Sequence, residues 1–209
     1  MSFCGVYIVT EPSQTFSRSL SRTPLHQLSV ELNARMTEFS GWEMPVQYSG
    51  ITREHQAVRT AAGMFDISHM GKFRFHGKHV LEQLQALVPS DLSRLQPGEA
   101  QYTVLLNPEG GIIDDLIFYN QGVNLDGEQR WVAIVNAATT QKDKSWILEH
   151  IDLSQLQFQD DSTAQALIAV QGPEAVQKLQ DFVQEDLSSV KAFGHLESAV
   201  LGQPGFLAR

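Results

Sequence analysis

Two apolar periods organise the chain downstream of Thr23-Pro24, one helical and one extended. Ile51 to Ala62 has the spacing of a helix, with Arg53, Glu54 and Arg59 free for water and Gly63 placed to close it. Lys72 to His76 alternates strictly: Phe73 and Phe75 fall on one face of a half-buried strand, Lys72, Arg74 and His76 on the other. After Gly77 the apolar residues Val80, Leu81, Leu84, Leu87 and Val88 return to helical spacing, and Pro89 ends the run. Pro97-Gly98 marks a turn. Tyr102 to Leu106 and Ile112 to Tyr119 then read as two strands around the Asn107-Pro108-Glu109-Gly110-Gly111 loop, which predicts a β-hairpin.

Trp131 to Val135 predicts a further strand, and Ala137 to His150 a helix with Thr139 or Thr140 as N-cap and Trp146 and Ile147 turned inward. Ala166 to Val170 is again extended. Gly172-Pro173 opens a helix with Pro at the first helical position, and Val176, Leu179, Phe182 and Val183 form its stripe. Ser198 to Leu201, Gln203-Pro204-Gly205 and the residues from Phe206 onward predict one more hairpin. Hairpins interleaved with helices imply an α+β fold of antiparallel sheets with packed helices, not a doubly wound nucleotide fold. The sequence stops at Arg209, just after a strand has begun, which reads as an interrupted element.

Composition narrows the function classes. Among 209 residues, 42% are hydrophobic and 19% charged, as in ordinary globular chains. No apolar run reaches the ~18 residues a membrane helix needs. The formal net charge of -9 argues against nucleic acid as the main partner, because phosphate backbones select basic faces. The single cysteine, Cys4, forms no intrachain disulfide and suits a reducing compartment. Residues 1–22 differ from the rest, with five serines, Arg18, Arg22 and one acid, Glu11. They read either as a short organelle-targeting leader or as a disordered tail.

The stretch Gly110-Gly111-Ile112-Ile113-Asp114-Asp115-Leu116-Ile117 places two acids near the start of an apolar strand. Alternation sends Asp114 with Ile112, Leu116 and Phe118, and Asp115 with Ile113, Ile117 and Tyr119. Carboxylates on opposite faces do not readily share a metal ion. At least one acid enters apolar surroundings, where burial raises its pKa unless donors compensate, and such acids are functional candidates. The alternative is that both bond to backbone at the hairpin edge. His76 and His79 have metal-compatible spacing, but Gly77 lies between them and no third ligand pairs with them. His69, in Asp66-Ile67-Ser68-His69-Met70-Gly71, reads as a hydrogen-bonded structural histidine. The sequence contains no G-x-S-x-G, C-x-x-C, P-loop or G-x-G-x-x-G. Asn136 follows a strand end, where polar groups commonly face a pocket.

The order of several segments is more specific than any one of them. Thr23-Pro24-Leu25, Phe39-Ser40-Gly41-Trp42-Glu43-Met44-Pro45-Val46-Gln47-Tyr48, Ala57-Val58-Arg59 and Gly63-Met64-Phe65-Asp66-Ile67-Ser68-His69-Met70-Gly71 resemble the glycine cleavage system T protein family. Gly110-Gly111-Ile112-Ile113-Asp114-Asp115-Leu116, Val135-Asn136-Ala137-Ala138 and Gln171-Gly172-Pro173 continue the resemblance in the same order, from about Thr23 to Arg209. It implies a folate-dependent aminomethyltransferase that takes an aminomethyl group from the lipoyl arm of the H protein. Ammonia is released and the one-carbon unit passes to tetrahydrofolate, giving 5,10-methylenetetrahydrofolate. The resemblance puts Asp115 beside the pterin as the catalytic candidate, with Tyr102, Ile117, Tyr119, Asn136 and the apolar Met70 as the other contacts. It implies no metal. Whether Asp115 would act as a base or as an electrostatic stabiliser stays open.

The resemblance further implies a discontinuous first domain, 23–70 plus 160–209, a second at 71–159 and a third, β-rich domain that would follow. The family's Thr-Gly-Tyr-Thr-Gly-Glu stretch is not in these 209 residues. Weak or no activity is therefore expected of them alone. Other readings are a non-enzymatic folate-binding accessory protein of the same superfamily, supporting iron–sulfur protein maturation, or an inactive fragment. The folate module of a larger demethylating oxidoreductase is disfavoured, because no flavin-binding domain lies upstream. The expected compartment is cytoplasmic, with a mitochondrial one as the alternative.

Overall fold

The computed structural model describes residues 19–209. The proposed leader or tail falls largely on residues 1–18, outside the described residues. In chain order the elements are α1 His26–Glu31, β1 Arg35–Phe39, β2 Trp42–Gln47, α2 Ile51–Thr60, β3 Gly63–Asp66, β4 Gly71–Gly77, α3 Val80–Gln85 and β5 Glu99–Leu106. They continue as β6 Ile112–Val123, β7 Gln129–Val135, α4 Thr140–His150, β8 Leu156–Asp160, β9 Ile168–Gln171, α5 Ala175–Gln180, β10 His195–Val200 and β11 Gln203–Ala208. All strand pairs are antiparallel. The architecture is α+β, as the interleaved hairpins and helices imply. No helix among the described residues is long and apolar enough to cross a membrane.

A five-stranded sheet in the order β5-β6-β7-β4-β8 forms the centre. Alternation drives one of its faces inward: Phe73 and Phe75 of β4, Phe118 of β6 and Val135 of β7 are all fully buried. Phe158 of β8 closes the aromatic row, with ring centroids 5.3 Å from Phe73 and 5.5 Å from Phe75. Val80 and Leu84 of α3 and Ile147 of α4 join the same core. Truncating one buried Phe in such a core typically costs about 3–5 kcal/mol.

The other face is covered differently. The β10–β11 hairpin lies over it, and Tyr119 meets His195 and Phe206 edge-on, with ring centroids 5.4 and 5.2 Å away. Backbone bonds from His195 N–H to the Gly98 carbonyl, at 2.8 Å, and from Ala100 N–H to the Phe193 carbonyl, at 2.8 Å, fasten that hairpin to β5. Between sheet and hairpin lies a cavity of about 750 Å³, lined in part by Lys72, Arg74, Ile134, Asp161 and Phe206.

The sequence reading departs from the structure at several identifiable points. Gly63 does not close α2, which ends at Thr60; it begins β3 opposite Gln171. Its missing side chain lets the strand press on the helix, since a Cβ there would come within 2.5 Å of Val58 Cγ2. Pro173 does not start α5: Ala175 N–H bonds to the Gly172 carbonyl across a turn, and the helix begins at Ala175. Phe182, expected on that helix's stripe, lies beyond its end and is exposed. Leu201 and Gly202, both at positive φ, make the last hairpin's turn, while Gln203-Pro204-Gly205 is the start of β11. Glu54 is not simply on the wet side of α2; its carboxylate accepts the backbone N–H groups of Tyr48, Ser49 and Gly50 at 2.7, 2.5 and 2.8 Å.

Lys72 alternates outward as expected, yet it is buried. Its ammonium donates to the Ser68 carbonyl at 2.7 Å and to the Met70 carbonyl at 2.9 Å, so it holds the loop that leads into β4. Burial holds its pKa below the usual lysine value, with Asp160, Asp66 and Asp161 opposing that shift. Thr23 and Ser68 complete the brace: the Thr23 hydroxyl donates to Asp66 at 2.6 Å, and Ser68 Oγ accepts from Leu167 N–H at 2.9 Å.

Gly172 is the tightest backbone joint. Its φ is +124°, and a Cβ would stand 2.5 Å from the Ala61 carbonyl oxygen and 2.6 Å from that of Val58. Gly172→Ala is expected to cost at least about 1–3 kcal/mol from the backbone conformation alone, with the clash added to it. Urea denaturation of the two chains checks this; equal midpoints would show that the joint relaxes freely.

Candidate functional site

The acid pair lies where β6 enters the sheet. Asp114 stands opposite Leu105 and Asp115 opposite Val104, and just before them the β5–β6 register shifts, with Leu106 facing Ile112. This irregularity breaks the simple alternation. Ile113, expected beside Asp115, packs instead against the buried core. From Asp114 onward the alternation holds: Leu116 and Phe118 are buried, and Asp114 shares their face beneath α4. Asp115 takes the opposite face with Ile117 and Tyr119.

Tyr102 sits across from Ile117 and is half exposed. Its hydroxyl donates to Asp115 Oδ2 at 2.9 Å. That bond, followed by partial burial and the negative charges of Asp115 and Asp114, holds the phenol above its ordinary pKa. Tyr102 therefore remains a donor throughout the neutral range.

Asn136 ties the two faces together. It follows β7, and its carbonyl accepts the Thr139 N–H at 3.3 Å and the Thr140 hydroxyl at 2.8 Å, which fixes the turn into α4. Its side-chain amide donates to Asp114 Oδ1 at 3.1 Å, to the Asp115 carbonyl at 3.1 Å and to Asp115 Oδ1 at 3.3 Å. Thr139, expected to cap α4, spends its hydroxyl on Asp114 instead and makes no cap bond. Burial alone would raise the Asp114 pKa, but hydrogen bonds from Thr139 and Asn136 outweigh it and hold the group below the usual aspartate value.

The remaining expected residues divide. Ile117 pairs with both Tyr102 and Ile134 and provides an apolar, half-buried floor beside Asp115. Met70 stands one step beyond the Gly71–Val135 pair, as Asn136 does on the neighbouring strand, so the register brings the two side by side. Gly71 permits this approach, since a side chain there would run into Val135 and Thr140. Tyr119 shares the face of Asp115 but turns its ring to His195 and Phe206, so it supports the hairpin. None of these six residues lines the 750 Å³ cavity. Ile117, paired with the lining residue Ile134, stands at its edge.

His69 is not the hydrogen-bonded histidine expected. Its ring meets Phe39 edge-on at 5.5 Å, its buried Nδ1 has no protein partner, and burial lowers its pKa. His76 pairs with Glu128 at 2.6 Å, whereas His79 reaches Glu82 at 3.7 Å from the start of α3. No group of three His, Cys, Asp or Glu among the described residues is arranged to hold a metal ion.

Asp143 was not legible as a site residue. It lies within α4, is fully buried, and neither carboxyl oxygen receives a hydrogen bond from a protein donor. Burial, followed by the adjacent Asp114, pushes its pKa up to about 7. The available signal was its position four residues before the inward-facing Ile147, on the same stripe of the helix.

The geometry predicts how Tyr102 titrates. Asp115→Asn removes the negative charge that favours the phenol, so the Tyr102 pKa is expected to fall towards the ordinary value of about 10. Tyrosine ring-carbon NMR titration of both chains reads this directly. An unchanged Tyr102 would show that the bond to Asp115 does not control it.

A family model described as GCVT N-terminal domain matches residues 25–208. An aminomethyltransferase of Nostoc sp. is 68% identical over 193 residues, covering 92% of this chain and 51% of that protein. One from Rippkaea orientalis is 63% identical over 191 residues, covering 91% of this chain and 52% of its own length. Among solved structures, the crystal structure of glycine cleavage system aminomethyltransferase T from Bartonella henselae superposes with a TM-score of 0.76 at 31% identity. It covers 86% of this chain and 48% of that one. The chain thus spans about half the length of the relatives it matches.

Proposed function

Since the chain belongs to the GCVT N-terminal domain family, we propose that its Tyr102–Asp115–Asn136 face receives the pterin end of tetrahydrofolate in an aminomethyl transfer. The arrangement that carries this reading is an outward-facing carboxylate braced from two sides, by the Tyr102 hydroxyl at 2.9 Å and the Asn136 amide at 3.3 Å. A flat, nitrogen-rich ring requires acceptors for its N–H groups and apolar surface for its faces. Asp115 provides the acceptor, while Ile117 and Met70 provide apolar surface on either side. The residues present fit the group.

Tetrahydrofolate, when bound, supplies the amine nitrogen that accepts the one-carbon unit. The chain's own residues do the rest. Asp115 orients the ring through its N–H groups and stabilises positive charge that develops beside it, because a fixed carboxylate needs no reorganisation at the moment of reaction. The same oxygen can accept a proton released there. Tyr102 stays protonated and restrains Oδ2; Asn136 restrains Oδ1. The aminomethyl donor in this reading is the lipoyl arm of the H protein, ammonia is the second product, and the setting is the bacterial cytoplasm. The domain division proposed with it, 23–70 plus 160–209 around 71–159, sets Asp115, Tyr102 and Asn136 on the second unit and Met70 at the junction.

The test uses a chain carried to the full length of the relatives. Asp115→Asn is expected to lower turnover by on the order of 100-fold or more. Its stability should change by no more than about 0.5 kcal/mol, as for a half-exposed isosteric change. Near-normal turnover with lipoyl H protein and tetrahydrofolate would remove Asp115 from the chemistry.

A further inference from the structure

Asp143 is the one fully buried carboxyl group among the described residues that receives no hydrogen bond. Its neighbour is another acid: Asp143 N–H bonds to the Thr139 carbonyl at 2.9 Å, and the hydroxyl of the same Thr139 bonds to the Asp114 carboxylate of β6. Asp114 already takes the Thr139 hydroxyl and one Asn136 N–H. Two ionised carboxylates side by side, one without any donor, would be costly in a low-dielectric interior. A single proton between them removes both difficulties, since it neutralises one acid and gives the other a donor.

We propose that Asp143 is kept as a neutral carboxylic acid whose O–H is directed at Asp114, and that this shared proton makes it the positioning residue for the Asp114–Asn136–Asp115 bridge. Asp114 is then a single, fully bonded anion, and Asn136 can keep its N–H groups on Asp114 and Asp115 together. Loss of the proton places a second negative charge beside Asp114, which competes for the Thr139 hydroxyl and the Asn136 amide. The bridge to Asp115 loosens as a result. The charged groups facing Asp143 are Asp114 from β6 and Lys142 from its own helix; the latter, which favours ionisation, is bonded to the Ile113 carbonyl at 2.5 Å. The bearing of this device on aminomethyl transfer rests on the reading of Asp115 above. The proton pair itself does not.

Linkage fixes the sign of the pH dependence. A folded-state pKa raised from 3.8 to about 7 means that the folded chain holds a proton the unfolded chain has released. Stability therefore falls as pH rises through that window and levels off above it. Asp143→Asn imitates the neutral acid, with its amide donating to Asp114, and is expected to abolish this fall.

The experiment is an NMR titration of the 209-residue chain carrying carbon-labelled aspartate and nitrogen-labelled asparagine, with urea stability measured at each pH. The Asp143 carboxyl carbon is expected to titrate with a midpoint near 7. The two Asn136 side-chain N–H signals should move with the same midpoint, which a merely space-filling Asp143 would not cause. In Asp143→Asn, those signals should stay near their low-pH positions, and the variant should be the more stable chain at pH 8. An Asp143 carboxyl that titrates below about 5 overturns the proposal, and so do Asn136 signals that ignore its transition. If Asp143→Asn fails to fold, the wild-type titration still decides, because Asp143 is assigned through its own Cβ. A chain carried to the full length of the relatives that shows the shared midpoint but no binding of tetrahydrofolate would defeat the site reading and leave the proton pair standing.

Discussion

Strand β6 is apolar on both faces and therefore has to be covered twice. Leu116 and Phe118 go under α3 and α4, while Ile117 and Tyr119 need a lid on the other side, which the β10–β11 hairpin provides at Tyr119. The hairpin's cover ends before the N-terminal end of the strand, and there the polar residues begin. Asp115 and Tyr102 occupy the uncovered rows, and Ile117 marks the boundary between dry and wet surface. Burial of the strand thus sets the location of the acid pair, and nothing in the loop Asn107 to Gly111 has to be specified for chemistry.

Three aspartates close together in a chain of net charge -9 could not all be ionised and buried without separate solutions. Each has its own. Asp115 faces outward and is shared between water, Tyr102 and Asn136. Asp114 is half-buried on the core face and collects donors. Asp143 lies inside without any, and its raised pKa is the remaining way to avoid an uncompensated charge. The turn from β7 into α4 connects the three, because Asn136 and Thr139 donate to the acids with their side chains while their backbones start the helix. A change to that turn would reach the acids before it reached the core.

Much of this was legible in the sequence, and the failures have physical reasons. The β5–β6 hairpin, the buried Phe73 and Phe75 and the opposite facing of Asp114 and Asp115 follow from strand period, which depends only on the backbone. Ile113 was misassigned because it is the extra residue of a β-bulge on β6, opposite the consecutive Leu105 and Leu106, and its own sequence does not mark the bulge. Asp143 and Lys72 were missed for a shared reason. A charged residue reads as solvated unless its partners are known, and theirs come from far along the chain or from backbone carbonyls. Pro173 and Gly63 misled because each satisfies a helix rule; the structure puts Pro173 in the turn before α5 and uses Gly63 and Gly172 for close approach between α2 and the β3–β9 pair. Family resemblance, not spacing, singled out Asp115 over Asp114.

The division of labour between the acids also explains why the outward one is the better candidate for chemistry. A carboxylate on a loose loop would be oriented by mobile water, which must reorganise when charge develops nearby. Asp115 sits instead on a central strand, with its carbonyl and one oxygen on Asn136 and the other oxygen on Tyr102. Tyr102 cannot take over as the acid, because its proton is held more tightly than that of a free tyrosine. Asp114 cannot take over as the acceptor, because its oxygens are already committed and α4 covers them. What is left on the open face is one pre-oriented acceptor beside apolar surface, and its orientation is only as firm as the charge state of the buried acid behind it.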